Sequence, residues 1–110
     1  MGNAQESSLT EAMNRLWAKY LPRMEERVGT LQRAANSLAS GILTATEQEL
    51  ASAEAHKLAG VLGSFGLKEG TELAREAESL YEGPLDGDPV VISRLRTIAE
   101  QLRSMIANRN

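Results

Sequence analysis

His56 is the single histidine of the chain, and there is no cysteine. Side chains able to act as nucleophiles near neutral pH are therefore few. The histidine stands in Ala55-His56-Lys57-Leu58-Ala59-Gly60-Val61-Leu62-Gly63-Ser64-Phe65-Gly66, with glycines four, seven and ten residues downstream. Leu58, Val61, Leu62 and Phe65 recur at helical spacing, so the imidazole is expected in mid-helix. Glycine inside a helix costs roughly 1 kcal/mol relative to alanine, and such a run asks for a reason. Projected at about 100° per residue, Gly60 lies about 40° from His56, Gly63 and Glu49 about 20°, Ser52 about 40°, and Ala53 and Ala59 about 60°. Leu58 points the opposite way. The imidazole rises from a face of small residues.

Two accounts of that face compete. A lone helical histidine is most often structural or incidental, and small neighbours let another helix of the same bundle pack closely. That account suits Ala53 and Ala59 at the margins of the face. It suits Gly60 and Gly63 poorly, because they share the direction of the histidine itself. Small residues there give clearance for the backbone of a docking partner.

Other chemistries are set aside by residue type. One histidine without cysteine makes no credible transition-metal site, and no metal is expected. Ser52 and Ser64 lie near the face, but no acid to complete a nucleophilic triad is evident in the sequence. Gly60, Gly63 and Gly66 follow no strand, so they are no dinucleotide fingerprint, and no phosphate-cradling loop is present. What remains is an imidazole that takes a group on a ring nitrogen and passes it on, with a partner bringing the other machinery.

The elements that must carry this face are all helical. After a polar stretch over residues 1–8, expected to be loose, Leu9, Met13, Leu16, Trp17 and Tyr20 make a first short helix that Pro22 ends or kinks. Leu21, Met24, Val28, Leu31, Ala35 and Leu38 make a second, closed by Gly41. Thr44 or Thr46 caps the histidine helix, with Glu47 and Glu49 in its first turn, and Gly66 stops it, with Leu67 making the usual contact beyond. A fourth helix covers about Lys68 to Tyr81. A turn-rich loop leads to Asp88-Pro89, an N-cap with proline at the first helical position. The last helix places Val91, Ile92, Leu95, Ile98, Leu102, Met105 and Ile106 inward. No alternating strand pattern occurs. The expected fold is all-α, an antiparallel four-helix bundle with a short additional N-terminal helix at one end, a single domain over residues 9–107.

Composition agrees. The chain has 110 residues, 42% hydrophobic and 4% aromatic, enough for one core and biased to helix. A net charge of −3 and the lack of a basic run argue against nucleic-acid binding. No apolar run approaches the roughly 20 residues that span a bilayer. No membrane association and a cytoplasmic location are expected.

Ala55-His56-Lys57-Leu58-Ala59-Gly60, with Gly63 and Gly66, resembles the signature of histidine-containing phosphotransfer (HPt) domains: alanine-histidine-any-leucine-lysine-glycine on the second helix of a four-helix bundle. Leu73-Ala74-Arg75-Glu76-Ala77-Glu78 is similar to the family's next helix, and the likeness covers residues 20–107. The resemblance implies that His56 accepts and donates a phosphoryl group, and that the chain is a carrier rather than an enzyme, without ATP-binding or autokinase elements. It implies transient docking of a receiver domain of a response regulator or hybrid kinase. Mg²⁺ would be in the receiver, with no cofactor of the chain's own, and a monomer is expected. Ser52, Ala53, Lys57, Ala59, Gly60, Gly63 and Ser64 are the expected docking surface. The family's lysine three residues after the histidine is Ala59 here, which leaves Lys57 and Lys68 as candidates to steady the phosphoryl group. A docking module of this fold without transfer is the alternative. A kinase dimerisation region fits less well, because Lys57 stands where such regions carry an acid.

Overall fold

The apolar positions Trp17, Leu21, Met24, Val28, Leu31, Ala35 and Leu38 keep an alternating spacing of four and three, and Pro22 does not interrupt it. That stripe decides the first element. In the computed structural model, which describes residues 4–109, α1 is one helix, Ala4–Ala39, with Pro22 inside it. The expected break at Pro22 and the separate short helix are corrected accordingly. An interior proline costs about 3 kcal/mol, because it donates no hydrogen bond and crowds the preceding turn. Full burial of a large apolar side chain is worth about 1.5–3 kcal/mol. Trp17, Met24 and Val28, all buried on the same stripe, outweigh the proline. Pro22 and Ala18 lie on the exposed side, where water can satisfy the freed carbonyl. Of the stretch expected to be loose, residues 1–3 lie outside the described residues and residues 4–8 belong to α1.

Three further helices follow: α2 (Ala45–Ser64), α3 (Lys68–Glu82) and α4 (Pro89–Asn108). There is no strand among the described residues. α2 packs on α1 and α3, and α4 packs on α1 and α3, so the helices close a ring of four around one core. Met24, Leu31, Leu58, Leu62, Ile98 and Leu102 fill its centre. At 36 residues, α1 is about 54 Å long, which sets the 55 Å long dimension of the molecule. The other helices are 15 to 20 residues. The N-terminal part of α1 therefore projects beyond them, and Leu9 is exposed there. Trp17 closes the core at that end, edge-on to Phe65 at 5.1 Å, with the Arg109 guanidinium 4.7 Å from its ring centre.

Polar ties fix the helices in place. Arg94 Nε and Nη2 donate to the Glu76 carboxylate at 2.5 and 2.6 Å, joining α3 to α4. Those bonds hold the Glu76 carboxyl below its ordinary range. The stability this pair contributes is present above the unfolded-state value and is lost as pH falls through the lowered one. Arg27 and Glu54 pair across α1 and α2. Gly70, buried in α3, sits against its neighbours tightly: a Cβ there would lie 2.9 Å from Met105 Sδ and 3.0 Å from Leu62 Cδ1, so those side chains would have to shift. Leu62 is at the centre of this contact, and its side chain has no exposure. Leu62→Ala is expected to cost about 2–5 kcal/mol, read as a lowered midpoint in urea unfolding with an unchanged slope.

Candidate functional site

The helix that carries His56 is defined at both ends by its own sequence. Thr44 Oγ1 accepts from the Glu47 N–H at 3.1 Å, and Glu47 Oε1 accepts from the Thr44 N–H at 3.0 Å, a reciprocal capping box. Accepting the Thr44 N–H holds the Glu47 carboxyl below its usual range. At the other end Gly66 takes φ +75°, a conformation that costs a Cβ-bearing residue free energy. This lets Gly66 N–H reach the Gly63 carbonyl at 3.0 Å and Leu67 N–H reach the Leu62 carbonyl at 2.9 Å.

Between those ends Ala51, Ala55, Leu58, Ala59 and Leu62 are buried, which turns His56 outward. Its side chain is 74% exposed. His56 Nδ1 lies 2.8 Å from Oε2 of Glu78, whose side chain is 20% exposed. A carboxylate can only accept, so Nδ1 carries a proton, and in the neutral ring the lone pair is then on Nε2. Nε2 is the ring nitrogen that Glu78 does not engage. Gln48 Nε2 donates to the carbonyls of Tyr81 and Gly83 at 2.8 and 3.1 Å. It satisfies the open C-terminal end of α3 and fixes that end against α2, close to Glu78.

The expected docking residues divide. Ala53, Lys57, Gly60, Gly63 and Ser64 are exposed on the His56 side of the helix, and Ser52 is half-buried. A Cβ at Gly60 would meet nothing within 4 Å, so the space above it is open. At Gly63 a Cβ would come within 3.3 Å of Thr71 Oγ1, so that glycine also serves the approach of α3. The same Thr71 hydroxyl donates to the Ala59 carbonyl at 3.0 Å. Ala59 itself is only 5% exposed and belongs to the core rather than to the open face. Ser64 Oγ donates to the Gly60 carbonyl at 3.1 Å, within the helix. Lys57 lines the groove that also holds His56, whereas Lys68 begins α3 and is not among that groove's residues.

That groove, about 640 Å³, runs along α2 and the end of α3 and includes Glu49, Glu78, Tyr81 and Glu82. Burial pushes the Tyr81 hydroxyl up to about 12. Among the described residues no group of three acids or histidines converges as a metal ion would require. Glu78 is the residue that helical projection of the His56 segment missed. It follows Ala74 by four residues and precedes Tyr81 by three, so it continues the inward stripe of α3. A carboxylate in such a position needs a partner, and that was the available signal.

A family model described as "Hpt domain" matches residues 15–105. The chain is 31% identical over 94 residues to "Protein RcaC" of Microchaete diplosiphon, a match that covers 86% of this chain. It spans 14% of the length of that relative. No solved structure matches.

Proposed function

The chain belongs to the Hpt domain family, and from that premise we propose that His56 carries a phosphoryl group between phospho-aspartyl receiver domains, or from a kinase to a receiver. The observation that carries this reading is the pairing of Nδ1 with Glu78, which leaves Nε2 exposed with its lone pair. The Nε2 lone pair attacks phosphorus as the bond from phosphorus to the aspartyl oxygen breaks, and the carboxylate leaves with that electron pair. Nδ1 keeps its proton, so the positive charge that develops on the ring faces the Glu78 carboxylate. In the reverse direction the P–Nε2 bond breaks, the electron pair returns to Nε2 and neutral imidazole remains. No proton needs to move in either direction. The carrier is a cytoplasmic monomer that binds receivers transiently, through an interface below about 1,200 Å². The receiver supplies Mg²⁺.

Gly60 gives the partner its approach. Gly60→Ala is expected to stabilise the fold by about 0.5–1 kcal/mol, because the new Cβ meets nothing and alanine favours the helix. The same substitution is expected to slow transfer, and Gly60→Leu to slow it further. Rising thermal midpoint with falling rate is the signature to measure. The function itself is tested by incubating the chain with phosphorylated receiver domains and assaying it for acid-labile phosphate. Transfer to His56 supports the carrier. Binding of receivers with no phosphate on the chain would instead leave a docking module of the same fold.

A further inference from the structure

The groove beside His56 carries an unbalanced charge. Glu49, Glu78 and Glu82 line it, against one ammonium, Lys57. Glu78 is engaged with the imidazole, whereas Glu49 and Glu82 are exposed and take part in no salt bridge among the described residues. Two acids outside the groove are held by arginine across helices, Glu54 by Arg27 and Glu76 by Arg94. The position three residues after His56 holds buried Ala59 and supplies no cation. A phosphoryl group on Nε2 therefore adds negative charge to a surface that is already negative.

Building on the carrier reading, we infer that this groove selects receivers whose rim carries lysine or arginine, with Glu49 and Glu82 as the determinants on this chain. Three features point to that partner. His56 itself lines the groove, so a partner that docks over His56 meets the groove's acids. Like charges brought together across an interface repel and slow encounter, whereas opposite charges steer it. Small residues, Ala45, Ser52 and Ala53, line the groove between the acids and leave the carboxylates accessible to long basic side chains. The second consequence follows from the same charges. With one ammonium, Lys57, against three carboxylates in the groove, the phosphoryl group is better stabilised on a partner that brings cations than on His56.

The test uses two forms of one receiver domain phosphorylated with acetyl phosphate: one with lysines on the rim of its active site, and one with those lysines changed to glutamate. Rates of phosphoryl transfer to the carrier are measured at 50 and 500 mM NaCl. The lysine form is expected to transfer faster at low salt, by about tenfold, and to lose that advantage at high salt. The double charge reversal Glu49→Lys with Glu82→Lys is expected to invert the preference. Both positions are exposed, and circular dichroism of the variant verifies the fold. Equal rates from both receivers, unaffected by salt and by the reversal, would overturn the inference and leave the carrier standing. Failure of both receivers to place phosphate on His56 would overturn both. Retained salt-dependent binding of the lysine form to His56→Gln supports the recognition separately from the chemistry.

Discussion

Replacing His56 by glutamine is expected to abolish phosphoryl acceptance while leaving the fold intact. The residue is 74% exposed, and substitutions at such positions change stability by no more than about 0.5 kcal/mol. A glutamine amide can still donate to the Glu78 carboxylate, so no acid is left without a partner. It offers no lone pair able to attack phosphorus. Other histidines cannot compensate, because the chain has none. The measurement is retained phosphate after exposure to a phosphorylated receiver, beside the urea midpoint of the same variant. Loss of phosphate with an unchanged midpoint is the expected result, and phosphate retained at the wild-type level would assign the reaction to another residue.

Glu78 gives the second large effect, through His56 and not through the phosphoryl group. Without its carboxylate, the ring is free to rotate and to place its proton on Nε2, which removes the nucleophile from the exposed side. Glu78→Ala is expected to slow transfer by about a hundredfold, within the range seen when a partner that orients a histidine is lost. Glu78→Gln keeps a hydrogen-bonding group but not the charge, and is expected to recover part of that loss. An alanine variant that transfers at the wild-type rate would show that Glu78 neither orients nor charges the ring. Two substitutions at one position thus separate orientation from charge.

Several capping signals were legible as sequence, with Thr44 rather than Thr46 taking the cap of the histidine helix. Thr44 with Glu47, Asp88 with Pro89, and Gly41 and Gly66 at positive φ all act within a few residues of themselves, so local rules suffice. Pro22 shows the limit of a local rule. An interior proline is costly, but the stripe from Trp17 to Leu38 buries enough side chains to carry the helix through it. The continuous spacing of that stripe was itself in the sequence and was the stronger signal. On the histidine helix, the projection put Gly60 in the open and Leu58 inside, as the structure has them. Ala59 fell at the margin of the face, where a few degrees decide, and the seating of α3 buried it. Glu78 lies 22 residues from His56, and its role depends on how α2 and α3 pair. Helical periodicity gives the inward side of each helix but not which positions of two helices meet.

The groove charges belong to the same category. Glu49 lies on the His56 face by projection alone, whereas Glu82 joins it because Gln48 pins the end of α3 to α2. Gln48 illustrates how a site depends on residues that never touch the reacting atoms.

The central claim is that Glu78 holds the proton on Nδ1 and so presents Nε2. Nitrogen-resolved NMR of the ¹⁵N-histidine-labelled chain, recorded before and after phosphoryl transfer, tests it most directly. The account predicts an Nδ1–H tautomer in the free chain and phosphate bonded to Nε2 afterwards, with the Nδ1 proton retained. An Nε2–H tautomer, or phosphate bonded to Nδ1, would contradict it.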